Sequence, residues 1–335
     1  MRFFGGKANA RSEDGSGGGG LIERRRPRRP VLGLALGSGV ARGWTHIGIL
    51  RELSANGFEP DIIAGTSVGA VVGGCHAAGR LDDMEDFARS LTRRRVLGLM
   101  DLSFSGAGLI GGNRLKRALE GALGMQAMET LPRKFAAVAT EIGTGHEIWL
   151  TRGNAVEAIR ASYALPGLFE PVRVGGRWLF DGALCNPIPV TVCRALGADF
   201  VIAVDLIADA DRRSTVIHEG AVLDETMETL EADADGGGGL LASFRERARR
   251  RRLTPANGAP GIASAMVEAF NITQDRIARS RLAGDPPDFL IGARVGKIGL
   301  FDFHRADELI ALGRESVRKI LPDLRERSAI EAFAE

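Results

Sequence analysis

The chain has 335 residues, 45 of them glycine, with 44% hydrophobic and 26% charged residues. That length buries a substantial core without covalent staples, and the composition excludes wholesale disorder and collagen-like repeats. With 44 basic against 42 acidic side chains the net charge is +2, which gives no global argument for a nucleic acid or a polyanionic substrate.

Residues 1–30 hold eight Arg/Lys against three Asp/Glu, a net +5, together with the run Gly17–Gly20. Such a segment cannot bury enough apolar surface to offset its ordering entropy, and it reads as a disordered basic tail. Two readings stay open. It is a solvated leader, or an arm drawn to anionic headgroups at the inner face of the membrane, at roughly 1 kcal/mol per basic residue.

From residue 31 strand and helix patterns alternate. VLGLAL (31–36) is a short apolar run that suits a buried strand, and Trp44 to Asn56 reads as a helix stopped by Gly57. DIIAG (61–65) is a second strand, followed by a small-residue helix from Val68 to about Ala78. Asp82 to Arg95 reads as one amphipathic helix with acids early and arginines late, and Asn113 to Leu123 as another. Residues 134–142 and 147–150 form a hairpin around Gly143–Gly145. Asn154 to Tyr163 is a helix, and PVRV–GG–RWLF is a two-residue Gly-Gly hairpin. A helix over 188–196 and a strand over 200–207 complete this unit.

An insertion at about 209–260 turns from acidic to basic across Gly236–Gly239. Its LLASFRERARRRRL stretch reads as an amphipathic surface helix or a plain solvated one. A helix (about 261–282), a strand (288–295) and a helix near 304–318 close a domain spanning 31–320, leaving 321–335 as a C-terminal tail. The alternation argues for an α/β layered domain with some antiparallel pairing. The three cysteines, Cys75, Cys185 and Cys193, lack C-x-x-C spacing, which argues against a disulfide framework or thiolate metal site. No run reaches the ~18 apolar residues of a membrane span, and no secretory signal is recognisable. A cytoplasmic protein is expected.

Two glycine motifs carry chemistry. The first is strand–LGSGVARG–helix, Leu36 to Gly43, whose backbone N–H groups and helix end suit an anion. A dinucleotide loop is disfavoured, because Arg42 stands where its third glycine belongs and Asp61 starts the next strand instead of ending it. The second is Gly65-Thr66-Ser67-Val68-Gly69, a G-x-S-x-G between strand and helix, the context of a nucleophile elbow. A serine hydroxyl needs a base, yet His46, His76, His146, His218 and His304 occupy no recognisable catalytic context. The better candidate is Asp181, at the end of a strand in Phe180-Asp181-Gly182-Ala183, although an Asp-Gly turn is also ordinary turn chemistry.

GSGVARG, GTSVG and DGA in this order resemble the patatin-like phospholipase family in its bacterial branch. WTHIGIL, the stretch Ala161 to Val172, DGALCNPIPV and PDFLIGARVGKIGLFDFHRADELIALG add to the resemblance, which covers about 31–207 and 262–318. It implies a three-layer α/β/α sandwich with a central mixed, mostly parallel sheet. It implies a lipid acyl-ester hydrolase of phospholipase A or lysophospholipase type, with Ser67 as nucleophile and Asp181 as base of a dyad. The oxyanion hole is then assigned to backbone N–H groups around Ser38, Gly39 and Val40, with Arg42 fixing the loop or adding charge, and Gly65 and Gly69 shaping the elbow. Val40 departs from an unbroken glycine run, and a β-branched residue disfavours positive φ.

No metal or cofactor is implied, no nucleic acid is expected, and the oligomeric state is left open. Two alternatives stand beside this reading. One is an α/β-hydrolase-type esterase with a Ser-His-Asp triad that uses a late histidine such as His304. The other is a lipid-binding regulatory protein of low turnover.

Overall fold

The computed structural model describes residues 29–99, 111–207 and 262–327. The basic tail up to residue 28, the insertion expected at 209–260 and residues 328–335 lie outside that range. Leu32, Leu34 and Leu36 alternate with Gly33 and Ala35 along β1 (Leu32–Leu36). The two-residue period of a strand therefore sends leucines to one face and small residues to the other. All five are buried, which marks β1 as a central strand covered on both faces.

One eight-stranded sheet runs β5-β6-β3-β2-β1-β7-β8, with β4 paired to β3. Its strands are β2 (Ile62–Thr66), β3 (Lys134–Glu141), β4 (Glu147–Leu150), β5 (Val172–Val174), β6 (Arg177–Asp181), β7 (Phe200–Asp205) and β8 (Phe289–Gly292). β3, β2, β1, β7 and β8 are mutually parallel, whereas β4 and β6 pair antiparallel to β3, and β5 to β6. The leucine face packs on α1 (Thr45–Ala55), α2 (Val68–Ala77), α6 (Ala155–Ser162) and α9 (Ala306–Arg327). The alanine face packs on α7 (Val190–Ala195) and α8 (Ile262–Gly284), through Val190, Val192, Cys193 and Ala278. This is the expected mixed, mostly parallel sheet flanked by helices. Helices α1 and α9 approach to backbone contact, because a Cβ at Gly48 would fall on Ile310 O and one at Gly313 on Thr45 O.

Several expected boundaries move: the strand read over 288–295 is only Phe289–Gly292, the helix read over 188–196 is Val190–Ala195, and two helices change more. The single helix read over Asp82 to Arg95 is two, α3 (Leu81–Arg89) and α4 (Arg93–Leu99). Ser90 Oγ turns back to donate to Phe87 O, and Thr92 Oγ1 accepts the N–H of Arg95 as a new start. The break lets Leu91 turn inward. The last helix, read to about 318 with a tail from 321, continues through Pro322 to Arg327. Val317 and Leu324 are fully buried one heptad apart, so the apolar stripe continues past the expected end. The remaining helix, α5, spans Asn113–Leu123 as its pattern predicts. Among the described residues no helix is long and apolar enough to cross a membrane.

Candidate active site

Ser67 joins β2 to α2 with φ 57° and ψ −125°. Its elbow depends on two glycines for close approach. A Cβ at Gly65 would lie 2.5 Å from Gly69 O, and one at Gly69 would strike Leu36 O at the end of β1. Among the described residues Ser67 and Val40 (φ 52°) are the only non-glycines with left-handed φ. Such backbone costs about 1–3 kcal/mol per residue and persists only where the surroundings impose it. At Ser67 one such constraint is Ser162, fully buried on α6, whose Oγ accepts the Ser67 N–H at 3.0 Å.

The Ser67 hydroxyl donates to Asp181 Oδ2 at 2.6 Å. Asp181 Oδ1 accepts the Ala183 N–H at 2.8 Å, and the Asp181 carbonyl accepts Thr140 Oγ1 at 2.9 Å. Burial pushes the Asp181 carboxyl up from 3.8 to about 7, against the downward pull of its bonds from Ser67 and Ala183.

Sheet register explains how residues 114 positions apart come into contact. β2 runs parallel to β3 and pairs up to Thr66↔Val138. β6 runs antiparallel to β3 and pairs from Glu141↔Leu179 to Ala139↔Asp181. β4 occupies the opposite edge at both Val138 and Ala139, so β2 and β6 share one edge of β3 and meet there C-terminus to C-terminus. Ser67 is one residue past the end of β2, and Asp181 is the last residue of β6.

The glycine loop lies beside them, at the end of β1. Gly37 N–H donates to Val204 O, and Gly37 O faces His46 Nε2 at 2.8 Å. Burial drives the His46 pKa down to about 4, so the ring is neutral and Nε2–H is the donor. Ser38, expected among the oxyanion donors, has its N–H committed to Pro187 O at 3.0 Å and its hydroxyl to Gln274 Oε1 at 2.6 Å. Among the described residues the N–H groups of Gly39 and Val40 have no hydrogen-bond partner, and both residues line the same cavity as Ser67 and Asp181. The Arg42 guanidinium donates to Ile298 O and Gly296 O, tying the loop to the segment after β8.

A family model described as patatin-like phospholipase matches residues 34–194. An uncharacterized NTE family protein of Mycobacterium tuberculosis is 36% identical over 322 residues, which cover 85% of this chain and 89% of that protein. The chain belongs to the patatin-like phospholipase family. Membership makes it a lipid ester hydrolase. A lysophospholipase, NTE1 of Pyricularia oryzae, is 27% identical over 320 residues, covering 91% of this chain and 19% of that longer protein. The crystal structure of VipD from Legionella pneumophila aligns with a TM-score of 0.45 and 14% identity, over 88% of this chain and 67% of VipD.

In this patatin-like domain Ser67 and Asp181 open into a cavity of about 1050 Å³, counting the solvent at its mouth. Its walls are apolar side chains such as Val71, Phe87, Leu91, Val96, Leu165 and Phe169. Such a lining suits a hydrocarbon chain next to an ester. His304 engages Arg93 through Nε2 and lies 4.0 Å from Asp302 through Nδ1. His76 is buried and held down at about 4 by that burial, His146 is exposed, and His218 lies outside the described residues. Among the described residues no cluster of three or more His, Cys, Asp or Glu could hold a metal ion. Two polar residues of the site, Ser162 and Gln274, escaped the sequence reading because neither belongs to a glycine motif.

Proposed function

We propose that this hydrolase cleaves acyl esters of phospholipids or lysophospholipids through a Ser67–Asp181 dyad and an acyl-enzyme intermediate. The observation that carries the reading is the 2.6 Å bond from Ser67 Oγ to Asp181 Oδ2 in the wall of an apolar cavity. An ordinary carboxylate titrates near ~4 and is a poor base for a hydroxyl. Asp181, held up at about 7 by burial, is better matched to proton transfer at neutral pH.

As Ser67 Oγ attacks the ester carbonyl carbon, its proton passes to Asp181 Oδ2. The carbonyl oxygen becomes an oxyanion facing the N–H groups of Gly39 and Val40, donors of a kind worth about 2.7–4 kcal/mol each. Collapse breaks the bond to the alcohol oxygen, and Asp181 returns the proton to it. Water then attacks the acyl ester with Asp181 as base, which releases the fatty acid and restores the hydroxyl. Arg42 acts on the loop and not on the substrate. Arg24, Arg25, Arg26 and Arg28 supply charge for contact with the anionic surfaces where such substrates lie.

Ser67→Ala and Asp181→Asn are each expected to abolish hydrolysis of a short p-nitrophenyl ester and of a lysophospholipid. Ser67→Ala is also expected to abolish labelling by a fluorophosphonate. Wild-type activity persisting in either purified, folded variant overturns the dyad.

A further inference from the structure

The backbone that presents Gly39 and Val40 does not hold itself in place. Val40 keeps φ 52° with a β-branched side chain, a conformation that a free chain leaves. Ties to neighbouring segments impose it. Downstream, Ala41 N–H donates to Leu300 O, and Arg42 reaches Ile298 O and Gly296 O. Upstream the tie is Ser38, which is fixed through both of its polar groups, to Pro187 O and to Gln274 Oε1.

Gln274 lies on α8, 236 residues further along the chain, and is 2% exposed. Its amide is oriented in turn, because Nε2 donates to Asn271 Oδ1 at 2.8 Å on the preceding turn. Oε1 is thereby aimed at Ser38. Both ends of the Ser38–Gln274 bond are buried, so removing either group deprives the other of its partner at a cost larger than for an exposed bond. The N–H of Gly39 starts on the residue next to this clamp.

We propose that Gln274 is a positioning residue for acyl transfer: by accepting the Ser38 hydroxyl it holds the strained loop so that the Gly39 and Val40 N–H groups face the reacting carbonyl. The proposal rests on the reading of those two groups as oxyanion donors. Gln274 touches no reacting atom. Its contribution is made where charge develops on the carbonyl oxygen, so its loss lowers kcat and leaves KM nearly unchanged.

The test measures kcat and KM for a p-nitrophenyl ester in Gln274→Leu, Ser38→Ala, the double variant, and Gln274→Leu combined with Val40→Gly. Each single change is expected to lower kcat roughly 10- to 100-fold, less than the 10²–10³ for deleting a donor outright. KM should stay within about threefold, since uniform substrate binding is untouched. The double variant should lose no more than about twofold beyond either single one, because both remove the same bond. Val40→Gly removes the strain that the clamp opposes, and it should recover most of the kcat lost in Gln274→Leu.

A rise in KM at constant kcat, additive losses in the double variant, or no recovery with Val40→Gly overturns the proposal. Should Gln274→Leu not fold, Ser38→Ala alone and Ser38→Ala with Val40→Gly give the same readings. If Ser67→Ala retains hydrolysis, the dyad itself has failed. If Ser67→Ala is inactive and the cycle is additive, only the role of Gln274 has failed.

Discussion

Replacing Asp181 by Asn separates what the carboxylate does for catalysis from what its burial costs the fold. The side chain is 1% exposed, and its carboxyl titrates at about 7 in the folded chain against an ordinary 3.8. A folded-state pKa above the unfolded value means that the folded form binds the proton more tightly. That stabilisation is fully present below the unfolded pKa and is lost as pH rises through the folded one. At about 1.36 kcal/mol per pKa unit, the two units between pH 5 and the folded pKa correspond to roughly 2–3 kcal/mol. Asn is neutral throughout and escapes this loss, while other titrating groups cancel between the two proteins. The Tm of Asp181→Asn relative to wild type should therefore climb by roughly 5–10 °C between pH 5 and pH 8, at 2–4 °C per kcal/mol for a domain of this size. Activity should fall by about 10²–10⁴, the usual contribution of a general base. Differential scanning calorimetry at pH 5, 6, 7 and 8 reads the first quantity, and ester hydrolysis the second. A Tm difference that is flat across this range would show that Asp181 is not held neutral by burial, and the account of its basicity would fall with it.

Further outcomes follow from the same geometry. In wild type, kcat/KM should rise with unit slope as pH increases and level off above about 7, because only ionised Asp181 accepts the Ser67 proton; a profile flat from pH 5 to 8 contradicts this. His304→Ala should keep full activity, since that ring is engaged with Arg93 and Asp302; loss of hydrolysis would revive a histidine triad. Gly69→Ala drives a Cβ into Leu36 O and should destabilise the fold by several kcal/mol, on the order of severe overpacking, read as a lowered denaturation midpoint. Ser67→Gly should be inactive yet raise the Tm, because glycine adopts the elbow's left-handed φ without strain.

The strand–glycine loop–helix and strand–elbow–helix units were legible in sequence because each is local. A short apolar run, a glycine cluster and a helical period lie within twenty residues of one another. Asp181 is legible as a strand-end acid, but its pairing with Ser67 comes only from the family resemblance, since the contact depends on two strands sharing an edge of a third. The histidine search came up empty for a physical reason visible in the fold: His46 is neutral and donates to Gly37 O behind the loop. Ser38 reads as a donor in the sequence, which shows a glycine-rich run but not the Pro187 carbonyl that takes its N–H. The split of α3 from α4 was hidden by a continuous helical period across Ser90 and Thr92, whose hydroxyls bond to the backbone instead. Val40 in left-handed φ runs against propensity, and such local conflict is what functional backbone tends to carry.

The meeting of β2 and β6 on β3 makes the chain's activity conditional on its own completion. Ser67 arrives with the second strand and Asp181 with the sixth, from segments 114 residues apart. Neither half of the sheet holds both. A nascent or partly unfolded chain that has made the β2–β3 pairing but not β3–β6 has an elbow without a base. On the proposed dyad, hydrolysis therefore waits for the β3–β6 register to close.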